Sequence, residues 1–341
     1  EFEWVNDLEQ INSVSRTEFN DDETEQYKEF YISLYNVIEK INPDVVLRTT
    51  PVFFWGVDEL VPTVLEAQGK LNRLKCYQEC YCAGKALIDN DNEVAKIGCP
   101  SIAVVDECAA RQSGGKETTI VGYLNADMFL DMDFEEVRNS TRRRLNLTDD
   151  DCACVYISSC IYDLETELHH FNIFLKHAVE YQEDMKIYFR FHPRHSEVER
   201  KEYLRAIEES ECNVFIVDNM EYKELLAFSN CIISLGSSVN IDAVNYYSVY
   251  YRSTNNKIPF ISVYPYGSSV KEVMRRIFNV DEYPAYDSEG CHSIVDELNY
   301  QEAIENVVKH KVYTDELYRK YEENGNNFVD VFERFIAYLI S

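Results

Sequence analysis

The sequence predicts an α/β protein of two domains, each built around a parallel β-sheet. Three observations lead to this fold class. The chain has 341 residues, which exceeds the roughly 100 to 200 residues of a single domain. Apolar residues make up 45% of it, enough to fill two cores. In the second half, short apolar runs alternate with helical segments, and strands covered on both faces by such crossovers form a parallel sheet.

The second half shows the alternating pattern most clearly. Its apolar runs predict strands at residues 153–158, 186–191, 213–217 and 231–235, with two further extended pieces at 249–252 and 260–263. The segments between them carry apolar residues at helical spacing. They predict helices at residues 164–182, 197–209, 222–228 and 239–246.

The first half is less regular but has the same character. A helical pattern covers residues 23–41, and the turn pair Asn42-Pro43 ends it before a short strand at 45–47. A second helix is predicted at residues 59–66, and further strands at 75–82, 101–105 and 118–123. These elements indicate a second α/β domain.

Residues 131–151 separate the two halves. This segment contains the basic run 142–144 and the acidic run 149–151, and blocks of this kind are typical of solvated surface. We therefore predict an N-terminal domain at residues 1–145 and a C-terminal domain at 151–312. The remaining residues, 313–341, form a helical segment that caps either domain.

Charge and hydropathy exclude several classes of protein. With 61 acidic and 33 basic residues, the net charge of -28 repels nucleic acid over most of the surface. No apolar run reaches the roughly 18 residues that a membrane-spanning helix needs, and the first residues do not resemble a signal peptide. We expect a soluble cytoplasmic protein. Because the sequence begins at Glu1 without Met, it leaves open whether residues precede it.

The chain has 11 cysteines. Several lie within apolar runs, where a thiol behaves as a small apolar side chain. Cys76, Cys80 and Cys82 are close together, but no Cys or His pair follows at zinc-site spacing. The sequence therefore favours reduced structural cysteines and no bound metal, with a zinc site as the lesser alternative.

A His-Pro pair follows one of the predicted buried strands. His192 and Pro193 come directly after the strand at 186–191, with Arg190 and Arg194 beside them. Ligands of open α/β sheets bind beyond the carboxyl ends of the strands. Histidine can donate a hydrogen bond to a phosphate oxygen, so the segment predicts an anion site. The alternative is a structural histidine.

A Gly-Ser-Ser turn follows another strand. Gly236, Ser237 and Ser238 lie between the strand at 231–235 and the next helix, whose free N–H groups and dipole suit a phosphate. The alternative is an ordinary serine N-cap. Ser158 and Ser159 close the first strand of the C-terminal half, where they either line the same ligand site or serve as turn residues.

The order of these motifs resembles a known family. Residues 153–263 are similar to the C-terminal half of GT-B glycosyltransferases that use CMP-activated sugars, the bacterial sialyltransferases and Kdo transferases, and to the CDP-glycerol transferases. The resemblance implies two Rossmann-like domains facing a central cleft. It also implies that His192, Ser237 and Ser238 hold the phosphate of a nucleotide-sugar donor, and that the enzyme needs no metal and no cofactor.

The activity that this resemblance implies is transfer of a sugar to a glycan hydroxyl in surface polysaccharide synthesis. A CMP-linked donor such as an activated sialic acid or Kdo is favoured. A UDP-sugar transferase, a nucleotide-sugar epimerase, a CDP-glycerol-type transferase and a non-catalytic nucleotide-sugar-binding subunit remain alternatives. The oligomeric state stays open.

The catalytic base is predicted in the N-terminal half. The sialyltransferases carry two acidic residues followed by glycine, and one acid deprotonates the acceptor. Here Asp106 and Glu107 follow the strand at 101–105, but Cys108 takes the place of the glycine. We predict Glu107 as the base, with Asp106 second. The other pair, Asp58-Glu59, is typical of a helix start or of surface charge.

Overall fold

The computed structural model describes residues 21–48, 61, 64–78, 101–105, 110, 117–122, 124, 129, 132–160, 162–235, 239–256, 260–265, 292–295, 301, 305, 308 and 330–341. The chain divides into two compact units. Unit 1 comprises Glu1–Leu124 with Asp330–Ser341, and unit 2 comprises Asn125–Val329.

Unit 1 contains a parallel four-stranded sheet with the order β1-β2-β3-β4. Its strands are β1 (Val46–Arg48), β2 (Leu74–Gln78), β3 (Ser101–Val104) and β4 (Glu117–Ile120). Helix α1 (Asp21–Ile41) precedes β1, and a 3-10 turn (Leu71–Arg73) leads into β2. Each predicted strand of this half is present, and residues 61 and 64–66 of the second helix, predicted at 59–66, are helical.

Unit 2 contains a parallel six-stranded sheet with the order β10-β9-β8-β5-β6-β7. Its strands are β5 (Cys152–Ile157), β6 (Met185–Arg190), β7 (Val214–Ile216), β8 (Cys231–Ile233), β9 (Ile261–Pro265) and β10 (His292–Val295). Its helices are α2 (Phe134–Arg144), α3 (Leu164–Ala178), α4 (Glu197–Glu209), α5 (Tyr222–Phe228) and α6 (Val239–Thr254).

An aromatic cluster packs one face of the second sheet against α3 and α4. Alternate residues of a strand share a face, and Tyr156 of β5 and Phe189 of β6 both contact the ring of Phe171, with 4.8 Å between centroids in each case. Tyr203 of α4 packs against the same group, with 5.2 Å between its ring centroid and that of Phe189. This packing fixes where α3 and α4 begin relative to the carboxyl ends of β5 and β6.

The basic run that was predicted as solvated linker is partly buried, so that prediction was wrong for it. Arg138 and Arg142 of α2 are only 9% and 2% exposed. Arg142 donates to the carbonyl of Phe228 at 2.7 Å, at the carboxyl end of α5, where free carbonyls attract positive charge. Helix α2 therefore belongs to unit 2, and the chain divides at Leu124 rather than between residues 145 and 151.

The final helix, α7 (Val331–Ile340), belongs to unit 1. The Tyr338 hydroxyl accepts from the Cys76 N–H and donates to the Cys76 carbonyl, both at 3.0 Å. Phe335 packs edge-on against Tyr77, with 5.6 Å between ring centroids. The segment predicted to cap either domain thus contributes to the first one, and residues 313–329 lie outside the described residues.

Residues 249–252, predicted as extended, are helical and lie within α6, so that prediction was wrong. Tyr246 and Tyr250 are one helical turn apart and both pack edge-on against Phe134, at 5.3 Å and 5.8 Å. This packing outweighs the strand preference of valine and tyrosine. Within the described ranges, every helix is too short or too polar to serve as a membrane span.

Candidate functional site

The His-Pro turn lies at the carboxyl edge of the second sheet, as predicted. Strand β6 ends at Arg190, and the turn 191–195 leads directly into α4. The neighbouring strand β5 ends opposite it, because Ile157 pairs with Arg190. Ser158 and Ser159 therefore follow one strand, and His192 and Pro193 follow the adjacent strand.

Ser158 holds the backbone of the His-Pro turn through hydrogen bonds. Its side chain is buried, and its hydroxyl accepts the His192 N–H at 2.7 Å and donates to the Arg190 carbonyl at 3.2 Å. The Ser158 N–H also donates to that carbonyl, at 3.0 Å. The hydroxyl is therefore used inside the protein, where it holds the backbone of the turn. Ser159 is buried as well.

His192 presents a protonated ring nitrogen at the edge of the sheet. The Arg194 N–H donates to His192 Nδ1 at 3.1 Å, and a nitrogen that accepts carries no proton, so the neutral ring is protonated on Nε2. Burial, followed by the nearby His195 and Arg194, lowers the pKa of His192 below its ordinary value. The ring is thus a neutral donor at pH 7. Its Nε2 lies 3.4 Å from Sγ of the exposed Cys160.

A second anchor holds the turn from the other side. Asp218, just beyond β7, accepts the Phe191 N–H at 2.9 Å and forms an ion pair with Arg200 at 2.7 Å. The Arg200 guanidinium lies over the Phe191 ring, 4.9 Å from its centroid. Asp218 was not predicted as a site residue, although its position just after a predicted strand was the available signal.

Two buried polar groups at this edge of the sheet have no partner within the described part of the chain. They are Nη1 of Arg190 and the hydroxyl of Ser234, which follows β8. Buried polar groups are normally hydrogen-bonded, so these two are candidates for contact with a ligand. Arg194 is exposed and adds a further positive charge.

Several predicted site residues lie outside the described residues. Gly236, Ser237 and Ser238 are among them, although β8 ends at Ile233 and α6 begins at Val239. The predicted position of these three between a strand and a helix therefore agrees with the flanking elements. Asp106 and Glu107, which follow β3, also lie outside the described residues.

The first turns of α3 carry a buried carboxyl group that was not predicted from the sequence. Glu167 and the neighbouring His170 are both buried. Glu167 Oε2 accepts the Ser159 N–H at 3.2 Å and the Tyr203 hydroxyl at 3.3 Å. Burial is the main cause that raises the pKa of Glu167 to about 8. The signal was its helical spacing, since residue 167 shares a face with Phe171 and Phe174.

No family model and no curated protein matches the chain. Solved structures do match it. UDP-GlcNAc 2-epimerase from Neisseria meningitidis, bound to UDP-GlcNAc, has a TM-score of 0.58 at 10% identity, covering 98% of this chain and 89% of that one. The corresponding epimerase from Methanocaldococcus jannaschii has a TM-score of 0.57 at 15% identity, covering 94% and 84%.

A transferase matches equally well. The UDP-forming α,α-trehalose-phosphate synthase from Burkholderia xenovorans, in complex with glucose-6-phosphate, has a TM-score of 0.57 at 10% identity, covering 99% of this chain and 82% of that one. At such low identity the likeness shows the fold. It confirms the predicted class, an α/β protein of GT-B type with a Rossmann-like parallel sheet in each unit.

Proposed function

We propose that the protein is a nucleotide-sugar glycosyltransferase whose unit 2 holds the phosphate of the donor. The observation that carries the proposal is the protonated Nε2 of His192 at the carboxyl edge of a parallel sheet, where α/β proteins bind ligands. The His192 ring is neutral. The backbone around it is fixed, because the His192 N–H donates to Ser158 and the Phe191 N–H donates to Asp218. A hydrogen-bond donor that the protein already holds in position needs no reorganisation when negative charge develops beside it.

The proposed chemistry depends on the leaving group. When the bond between sugar and phosphate breaks, negative charge builds on the phosphate oxygens. The His192 N–H and the cations of Arg190 and Arg194 then interact more strongly than they do with the bound donor, which is the condition for catalysis. In this proposal these groups supply the charge neutralisation for which other enzymes use a metal ion.

The remaining roles rest on the sequence. Gly236, Ser237 and Ser238 would add backbone and hydroxyl donors to the phosphate from the start of α6. Glu107, with Asp106 second, would take the proton from the acceptor hydroxyl. Replacement of Glu107 by glutamine should leave nucleotide affinity unchanged and depress turnover. Unchanged turnover would remove Glu107 from this role.

Titration calorimetry tests the donor site. The resemblance to sialyltransferases and Kdo transferases favours CMP, whereas the epimerases and the trehalose-phosphate synthase favour UDP, so CMP, CDP and UDP are compared. His192→Ala should weaken binding of the preferred nucleotide about tenfold or more, since a hydrogen bond to a charged group contributes roughly 1.5 to 3 kcal/mol. His177→Ala, in the last turn of α3, is the matched control. Equal affinity of His192→Ala and the parent would disprove the site.

Epimerisation is the second candidate, supported by the names of the solved structures that match. Incubation with UDP-N-acetylglucosamine and no acceptor separates the two reactions in proton NMR spectra. Inversion at C2 of the sugar indicates an epimerase, and release of nucleotide that depends on an added acceptor indicates a transferase. Nucleotide binding with neither reaction indicates a non-catalytic binding subunit.

A further inference from the structure

We propose that Glu167 is a positioning residue for the anion site: through Ser159 and Tyr203 it fixes the ring of His195, and with it the turn that presents His192. The inference deepens the proposed function and rests on it for its consequence. The network itself is a property of unit 2 alone.

Glu167 lies beneath the turn that follows β5. It is only 1% exposed, four residues after Asp163, the N-cap of α3. One carboxyl oxygen, Oε2, receives both the Ser159 N–H and the Tyr203 hydroxyl. The other, Oε1, is buried and has no hydrogen-bond partner in the part of the chain that the structure describes. Oε1 is therefore free to carry a proton, and Oε2 links the β5 turn to α4.

His195 completes a closed loop of contacts with Ser159, Glu167 and Tyr203. Its Nε2 donates to the Ser159 carbonyl at 2.8 Å, so Ser159 is held by Glu167 at its N–H and by His195 at its carbonyl. The His195 imidazole stacks on the Tyr203 ring, with 5.3 Å between centroids and 18° between planes. Tyr203 in turn donates to Glu167. Displacement of the Glu167 carboxyl group therefore disturbs both contacts that hold the His195 ring, the hydrogen bond to the Ser159 carbonyl and the stacking on Tyr203.

The same loop of contacts extends to His192. His195 Nδ1 lies 3.4 Å from the Ser158 hydroxyl, which accepts the His192 N–H. The backbone N–H of His195 also donates to the His192 carbonyl at 3.0 Å. His192 is thus connected to Glu167 by continuous hydrogen bonds and one stacking contact.

Ionisation of Glu167 provides a pH-dependent change by which the network can be detected. Burial, the largest cause, and Asp163 raise its pKa to about 8, against the opposing hydrogen bonds from Ser159 and Tyr203. Burial and the proximity of Glu167 raise the pKa of Tyr203 above its ordinary value, so Tyr203 stays a phenol donor. Glu167 is therefore neutral at pH 7 and ionises in mildly alkaline solution, where a buried charge destabilises the contacts around it.

The test follows the imidazole nitrogens of His192 and His195 by NMR, in protein with ¹⁵N-labelled histidine, from about pH 6 to about pH 10. In the parent, the signals of both rings should show an inflection near pH 8, the pKa of Glu167. Glu167→Gln, which mimics the neutral acid, should abolish it. Glu165→Gln, an exposed neighbour on the same helix, should retain it.

Tyr203→Phe sharpens the test, because it keeps the ring that stacks on His195 and removes one hydrogen bond that lowers the pKa of Glu167. The inflection should move to higher pH. A parent without the inflection, or a Glu167→Gln protein that retains it, overturns the proposal. An inflection that stays in place in Tyr203→Phe overturns the coupling through Tyr203.

The same proteins in nucleotide calorimetry separate this inference from the proposed function. Glu167→Ala should weaken binding of the preferred nucleotide about tenfold, and Glu167→Gln should restore it at pH 7. If the inflection is present and neither CMP, CDP nor UDP binds, the proposed function fails and the network stands. If a nucleotide binds and the inflection is absent, the network fails and the donor site stands.

Discussion

The hydroxyl of Ser158 accepts the backbone N–H of His192 at 2.7 Å, across the carboxyl ends of two adjacent strands. Removal of this hydroxyl in Ser158→Ala leaves the partly buried His192 N–H unpaired, which costs roughly 1 kcal/mol, the low end of the range for a buried group. We expect the free energy of unfolding in urea to fall by that amount, and the affinity for nucleotide to fall with it. Ser140→Ala, an exposed serine of α2, should change neither quantity. A Ser158→Ala protein as stable as the parent would contradict the role given to this hydroxyl.

Arg142 should be among the side chains of unit 2 that matter most for stability. It donates to the carbonyls of Phe228, Thr148 and Asp151. Arg142→Ala leaves the buried Phe228 carbonyl and the two partly buried carbonyls of Thr148 and Asp151 without their donor, and we expect a loss of roughly 3 kcal/mol in urea unfolding. The exposed neighbour Arg143 is the control, and Arg143→Ala should stay within about 0.5 kcal/mol of the parent. Equal losses in the two variants would show that the contacts of Arg142 contribute nothing.

The buried Glu167 should make the protein less stable as the pH rises. The pKa of its carboxyl is about 8 in the folded protein and has its ordinary value of 4.5 in the unfolded chain. Between these pH values the folded protein carries a proton that the unfolded chain has lost, so the free energy of unfolding falls by roughly 5 kcal/mol as the pH rises through this window. Thermal unfolding at several pH values measures this slope. Glu167→Gln should flatten it, and an unchanged slope would assign it to other groups.

Binding of a nucleotide sugar should become stronger in mildly acidic solution. The pKa of His192 lies below 6.5 in the free protein, and a bound phosphate raises it because the protonated ring gains a partner. Binding then takes up a proton, so the affinity rises as the pH falls through the pKa of the complex. Calorimetry in two buffers with different ionisation enthalpies counts this proton. His192→Gln should bind without proton uptake, whereas an unchanged proton count would exclude His192.

Cys160 offers a chemical probe of the same site. Its thiol is exposed, and Sγ lies 3.4 Å from the ring nitrogen proposed to contact phosphate. A nucleotide on His192 should therefore slow the alkylation of Cys160 by iodoacetamide at least severalfold. Digestion and mass spectrometry measure the rate for this one peptide. Alkylation at the same rate with and without saturating nucleotide would place the ligand elsewhere.

The elements of unit 2 could be predicted because its strands are buried on both faces. Strand β5 is buried at every position, and such a strand shows in the sequence as an uninterrupted apolar run. The His-Pro turn was found for the same reason, since it follows such a run directly. The extension of α6 to Thr254 was missed because Tyr246 and Tyr250 favour a strand locally, and their helical packing on Phe134 is a tertiary effect.

The supports of the turn were harder to predict. Glu167, His195 and Asp218 are polar residues whose partners lie on other elements, so their local sequence does not reveal burial. Glu167 left a trace, because it occupies the apolar stripe of α3 together with Phe171 and Phe174. Asp218 left a weaker one, because it follows a predicted strand. Arg142 left none, since a run of three arginines is ordinarily a solvated face and only the carbonyls at the end of α5 make it a buried one.

Tyr338 joins the chain's final helix to Cys76 of the first sheet, whereas unit 2 is one uninterrupted stretch of chain. This connectivity imposes an order on folding during synthesis. Because the ribosome releases the chain from its N-terminus, all of unit 2 has emerged before the helix that covers β2 becomes accessible. The half proposed to hold the nucleotide can therefore reach its native state first, and the other half lacks the contacts of Tyr338 with β2 until α7 has been translated.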